Sequence, residues 1–227
     1  MTNPALGIGV YTAPDAARMI GMHASTLRRW LLGYDHHGKS EAPLWEPQYD
    51  PDDGAMLLGF RDLVEARVVN ALKKRGFGLP TIRTCIDRAR QYVGDERPFS
   101  TQLFKTDGRS IFVQIARDLD DPELIDLKKR QSVFHRVVEP TLDDLDFGKS
   151  GAERWWLLPK RRSVVADPTI AFGAPSVSGT GMTTARVVQA VEAEGSIARA
   201  AKVYDLKPRQ IRDAIEYETM LYSRKAA

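Results

Sequence analysis

Apolar residues recur at helical spacing in two short stretches near opposite ends of the chain, and the two patterns superimpose. In the later stretch Ser196 stands where a helix cap belongs, followed by Ile197, Ala200, Ala201 and Tyr204, the i, i+3, i+4, i+7 stripe of one buried face. Pro208 suits the first turn of a second helix, whose inner face would be Ile211, Ala214 and Ile215. Two helices joined by so short a turn must cross, which predicts a helix-turn-helix with Arg209, Gln210 and Arg212 directed outward. In the earlier stretch Ala16 and Ala17 precede Gly21, Met22 and Leu27 at the spacings that separate Ala200 and Ala201 from Asp205, Leu206 and Ile211. Small residues let paired helices approach, and Gly or Asp tolerates a left-handed turn between them. This alignment puts Ser25, Thr26 and Arg28 at the outward positions, with Arg29 beside them.

Between these units the pattern changes several times. Thr12 and Pro14 predict a first helix to Ile20, and a second begins at or next to Ser25. The Asp-, Gly-, Pro- and His-rich stretch from Gly33 to Gly59 holds two apolar runs, Leu44 to Trp45 and Met56 to Leu58, expected to pair as a two-stranded wing. Phe60, Leu63, Val64, Val68, Ala71 and Leu72 then recur at helical spacing, as do Leu79, Ile82, Ile86 and Ala89 after a break at Gly76 and Gly78. Gly94 to Pro98 reads as a boundary. Asp107-Gly108 between alternating segments in Phe99 to Ala116 predicts a hairpin, with Ile111, Val113 and Ile115 on one face. Asp118 to Asp126 reads as an acidic turn, and Phe134 to Val138, Trp155 to Leu158 and Ser163 to Val165 as strands. The edge and tryptophans of that sheet could support a dimer or hold the late segment. The expected class is therefore α+β, mainly helical: a winged helix-turn-helix (1–94), a β-rich linking or dimerisation region (95–166) and a C-terminal helix-turn-helix (167–227).

Composition narrows function mainly by exclusion. The chain has 227 residues and a formal net charge of +3, too mild to mark a polyanion-binding protein on average. The charge is uneven, however: from Gly195 onward there are seven Lys or Arg against four Asp or Glu, and from Arg117 to Phe147 nine acidic residues against five basic. That places the expected polyanion contact at the end and not in the middle. The single cysteine, Cys85, excludes an internal disulfide and argues against a thiolate metal site. No export signal or membrane-spanning run is found, so a cytoplasmic location is expected. Adjacent histidines such as His36 and His37 point apart, and the Asp50, Asp52, Asp53 and Asp143, Asp144, Asp146 groups lack a calcium-loop pattern, so no metal or cofactor is expected. No nucleophile elbow, P-loop or dinucleotide fingerprint occurs, and an enzyme is not expected.

Asp167, Pro168, Ile170, Phe172, Gly173, Pro175, Gly179, Thr180, Ala214 and Tyr217 together resemble a bacterial family known as domain of unknown function 433. Gly181 stands where that family's pattern has arginine. Many such proteins resemble VapB-type antitoxins, and the resemblance implies a PIN-like ribonuclease toxin as partner. The order helix-turn-helix, wing, Phe60-Arg61-Asp62-Leu63-Val64-Glu65 and a helix pair resembles the DNA-binding domain of the MerR family. Together these imply an antitoxin, expected as a homodimer, that neutralises its toxin and represses its own operator. A MerR-like, ligand-responsive regulator without a toxin is the alternative.

The expected DNA contacts are Ser25, Thr26, Arg28, Arg29, His36, His37, Lys39 and Arg61 in the front unit, with Arg209, Gln210 and Arg212 in the late one. The expected toxin contacts are Trp155, Trp156, Lys160, Arg161, Arg162, Tyr222 and Arg224, although paired tryptophans in a strand are more often packed inside. Arg199, Lys202, Arg209 and Arg212 would equally suit the acidic active site of such a toxin.

Overall fold

The computed structural model describes residues 7–36, 39–50, 56–118 and 134–223. The class is α+β and mainly helical, as the periodicity predicts. Helix α1 (Ala13–Ile20) is capped by Thr12, whose side chain accepts the Asp15 N–H, and ends on Gly21 at φ 76°. Helix α2 (Ala24–Leu32) follows after a three-residue turn and buries Leu27, Trp30 and Leu31. Helices α3 (Phe60–Lys74) and α4 (Leu79–Val93) complete the front unit. In the late unit Thr183 caps α6 (Thr184–Glu194), Ser196 caps α7 (Ile197–Val203), and α8 (Pro208–Ser223) closes the described chain. The matched turns agree in backbone: Gly21 and Asp205 both have positive φ, 76° and 50°. Beneath them Ala16, Ala17 and Leu27, like Ala200, Leu206 and Ile211, are buried.

Two expectations fail in the middle. The stretch read as an Asp107-Gly108 hairpin is helix α5 (Gln102–Asp118). Its buried residues are Phe104, Ile111, Phe112 and Ile115, a helical stripe with Gly108 also buried, and Thr101 accepts the Phe104 N–H at its start. The region is thus helical in its first part, and only its later part is sheet. Phe134–Val138, expected as a strand, forms a π-helical turn. The expected turn at Asp118 to Asp126 lies almost wholly outside the described residues.

The four-stranded antiparallel sheet has the order β5 (Leu145–Gly148), β6 (Gly151–Trp156), β7 (Val164–Ala166) and β8 (Ser176–Val177). Its last strand comes from the late segment. The main apolar core runs from Tyr11 to Ala166, across the expected boundary at 94, and also takes in Tyr217 of α8. A second, smaller core of Val177, Val187, Ala200, Leu206, Ile211 and Ala214 lies within the late unit.

The wing is also built differently. Its strands are β2 (Tyr34–His36) and β3 (Lys39–Glu41), paired Tyr34 to Glu41, Asp35 to Ser40 and His36 to Lys39. Leu44 and Trp45 instead enter the core, and β4 (Leu57–Leu58) pairs with β1 (Tyr11–Thr12). The apolar runs are drawn into the core, so polar residues are left to form the hairpin.

The Asp-Pro-x-Ile-x-Phe-Gly stretch docks the late unit on the front one. Asp167 accepts from the Thr169 N–H and hydroxyl, at 2.9 and 2.5 Å, and from Arg154 Nε at 2.8 Å. Burial pushes the Asp167 carboxyl up, but the Thr169 and Arg154 bonds outweigh it and hold the group below the usual range. Val10 N–H donates to the Phe172 carbonyl at 2.8 Å, and the Tyr11 hydroxyl donates to that of Gly173 at 2.9 Å. Burial, aided by Tyr217, Asp167 and Tyr49, raises the Tyr11 phenol far above its ordinary value, so it remains a donor.

Gly173 is required at that joint. A Cβ there would lie 2.1 Å from the Tyr11 hydroxyl oxygen, on a backbone at φ 87°. Gly179 shares the positive φ, at 77°, but faces open space. Gly173→Ala should therefore cost about 2–4 kcal/mol in chemical denaturation, whereas Gly179→Ala shows only the backbone cost, ~1 kcal/mol. Equal losses in the two variants would mean that the contact with Tyr11 is unimportant.

Candidate nucleic-acid interface

Helix α2 rests on α1 through its buried stripe, and this rotation leaves Ser25, Arg28 and Arg29 exposed with Thr26 half-buried. Neither arginine forms an ion pair among the described residues. The Arg29 guanidinium lies over the Tyr34 ring, 4.4 Å from its centroid, which braces it against the wing while leaving its N–H groups available. His36 and Lys39 are register partners in the hairpin backbone, and His37 lies outside the described residues. Arg83 of α4 holds the end of the wing by donating to the carbonyls of Ala42 and Pro43, at 2.7 and 2.6 Å. Helix and hairpin thus form one braced edge.

Arg61 is not on that edge. Its Nε donates to the Ser100 hydroxyl at 2.8 Å, and its terminal nitrogen donates to Asp95 at 2.7 Å and to the Arg97 carbonyl at 2.9 Å. Burial raises Asp95, but the Arg61 hydrogen bond, the Arg97 N–H and both guanidinium charges outweigh it, so the carboxyl sits below its usual value. The expected phosphate contact is instead an internal tie between α3 and the 95–100 turn. The acidic residues of the same phrase are equally structural. Asp62, with no exposed surface, accepts from Trp45 Nε1, the Gln48 and Gly59 N–H groups, and Arg97 Nε. Glu65, also buried, accepts the Ser100 N–H at 2.8 Å.

In the late unit Arg209 and Arg212 are exposed and unpaired among the described residues. Gln210 is committed elsewhere: its carbonyl oxygen accepts the Lys207 N–H at 2.9 Å, and its amide donates to the Ser178 carbonyl at 3.4 Å. The expected base-reading amide therefore serves as the cap of α8.

Of the residues expected to meet a toxin, Trp155 is buried and Trp156 half-buried, whereas Arg161 and Arg162 are exposed but paired. Trp155 is 7% exposed, donates to Asp144 at 3.0 Å and carries Arg67 over its ring. Trp156 donates to Asp146 and is covered by Arg162, which also pairs with Asp146. Arg161 spans to α8, where it binds Asp213 at 2.6 Å and Glu216, and Glu216 foremost raises its pKa. Lys160 and Tyr222 are exposed, and Arg224 lies outside the described residues. Among the described residues no group of His, Cys, Asp or Glu is placed to hold a metal, and no helix is long and apolar enough to cross a membrane.

Residues 164–217 match the family described as "Protein of unknown function (DUF433)". That span runs from β7 into α8, so it contains both the docking stretch at Asp167 to Gly173 and the second helix-turn-helix. The chain is 28% identical over 225 residues to a Mycobacterium tuberculosis (strain ATCC 25618 / H37Rv) protein named "Putative antitoxin VapB45", covering 92% of this chain and 93% of that one. It also matches the crystal structure of Rv2018 from Mycobacterium tuberculosis with a TM-score of 0.69 and 26% identity, covering 92% of this chain and 99% of the other. These similarities reach beyond the DUF433 segment to the front unit and the sheet.

Proposed function

We propose that this protein is a VapB-type antitoxin that binds operator DNA through α2 and neutralises a PIN-like ribonuclease toxin. The observation that carries the antitoxin reading is the similarity to a named antitoxin along nearly the whole of both chains. The DNA reading is supported by the braced edge, where Ser25, Thr26, Arg28 and Arg29 are presented by a second helix that fits the major groove. Operator sites read this way are two-fold, which favours a homodimer. The toxin surface includes Lys160 and Tyr222, since the tryptophans are engaged internally.

Two experiments test this. Co-expression with the product of the adjacent gene should yield a stable complex and relieve that product's growth inhibition; no complex and no relief would refute the antitoxin role. In a shift assay with the gene's own promoter, Arg28→Ala combined with Arg29→Ala should weaken binding by about 1–3 kcal/mol per lost base contact, roughly 5- to 150-fold each. Unchanged affinity would remove α2 from the interface.

A second reading, a ligand-responsive regulator, has one observation in its favour: a cavity of about 420 Å³ between the front unit and the sheet, lined by Gln48, Phe60, Arg61, Arg154 and Asp167. Of its charged groups, Arg154 and Asp167 pair with one another and Arg61 is held by Asp95 from outside the lining, which leaves little free charge to fix a ligand, so the antitoxin reading leads.

A further inference from the structure

In the late helix-turn-helix the bases are left exposed and unpaired among the described residues, whereas the acids of its last helix are engaged. Within residues 199–212 there are five cations, Arg199, Lys202, Lys207, Arg209 and Arg212, and one acid, Asp205. All five cations are exposed, and none of their side chains enters an ion pair or hydrogen bond among the described residues. The acids further along α8 are engaged: Asp213 is buried on Arg161, Glu216 pairs with the same arginine, and Glu218 is buried against the Thr184 hydroxyl. Arg161 therefore neutralises the carboxylates that would otherwise counter the exposed charge.

We propose that this cationic face is a sequence-independent clamp on the DNA backbone, with base reading left to α2. The inference rests on the DNA reading above and assigns the late unit a distinct part in it. Three observations support a phosphate partner. Gln210, the amide placed to read a base, is used for capping. Among the described residues Arg209 and Arg212 have no brace like that of Tyr34 on Arg29, and base reading needs fixed side-chain geometry whereas phosphate contact does not. An almost acid-free patch that includes two lysines is also suited to a uniform polyanion, because lysine is depleted where protein partners meet.

The test is the salt dependence of binding by the full-length protein, using its promoter fragment and a scrambled duplex of equal length. Substituting Lys202, Lys207 and Arg209 by alanine should lower the slope of log affinity against log salt by about 2–3, since each phosphate contact contributes ~0.9. Affinity should fall by the same factor on both duplexes, leaving their ratio unchanged. The Arg28→Ala, Arg29→Ala variant should do the reverse and lose the ratio. An unchanged slope, with the wild type binding normally, would overturn the clamp while leaving the α2 reading intact. So would loss of discrimination in the triple variant, or loss of the co-purifying toxin with DNA binding unaltered. Wild-type protein that binds neither duplex would overturn the DNA reading and the clamp together. Thermal melts of the surface variants should match wild type.

Discussion

Asp62→Ala is expected to lower the unfolding free energy by about 3–5 kcal/mol, a large share of the stability of an ordinary domain. Every partner of this buried carboxylate is a donor. One oxygen takes Trp45 Nε1 at 3.2 Å and Arg97 Nε at 2.7 Å; the other takes the Gln48 N–H at 2.7 Å and the Gly59 N–H at 3.0 Å. Alanine leaves all four unsatisfied and strands the Arg97 charge, whose side chain is only 16% exposed. Asn should be nearly as harmful, because its NH2 must face two of the four donors. The same bonds fix the chain segment that returns from the wing, so the front edge should loosen as well. Urea denaturation of both variants checks this, and a loss below about 1 kcal/mol for alanine would show that the carboxylate does not organise the front unit.

Glu65→Gln should have the opposite sign and depend on pH. Burial drives the Glu65 carboxyl from 4.5 up to about 8, against the lowering effects of the Ser100 N–H and the Arg61 charge. Because the folded-state pKa is raised, the folded chain keeps a proton that the unfolded chain releases above pH 4.5. This group's contribution is therefore complete below pH 4.5 and declines by about 1.4 kcal/mol per pH unit until about pH 8. Glutamine cannot titrate, but its carbonyl can still accept the Ser100 N–H. The stability difference between variant and wild type should thus grow in favour of Gln from pH 5 to 7.5 and level off above 8. Parallel pH profiles for the two proteins would show that Glu65 titrates normally.

Much of the helical framework was legible because its signals are local. The Thr12 cap, the Pro208 start and the alanine-to-turn spacing shared by α1–α2 and α7–α8 depend on neighbours within a few residues, and they survive packing. Asp107-Gly108 shows the limit of such signals. It is a strong turn dipeptide, yet Phe104, Ile111, Phe112 and Ile115 gain more by facing the core from one helix than the turn gains locally. The Thr101 cap, three residues before Phe104, was the available counter-signal. The wing was misplaced for a related reason: apolar runs predict strands equally well whether those strands project or cover a core.

The side-chain roles were less legible. Arg61 and Trp155 are residue types that suit DNA or a partner, and nothing local reveals that Asp95 or Asp144 will claim them. Gln210 looked like a reader because helical phase directs it outward from α8, but the Ser178 turn comes to it from 32 residues away.

By itself the sequence determined two helix-turn-helix units of matching construction, their caps and left-handed turns, and the outward phase of Arg28, Arg29, Arg209 and Arg212. Those properties follow from helical period and backbone sterics. Tertiary structure alone decided which charged groups remain available. An ion pair forms wherever the fold brings its partners within reach, and those partners stand 34 residues apart for Arg61 and Asp95 and 52 apart for Arg161 and Asp213.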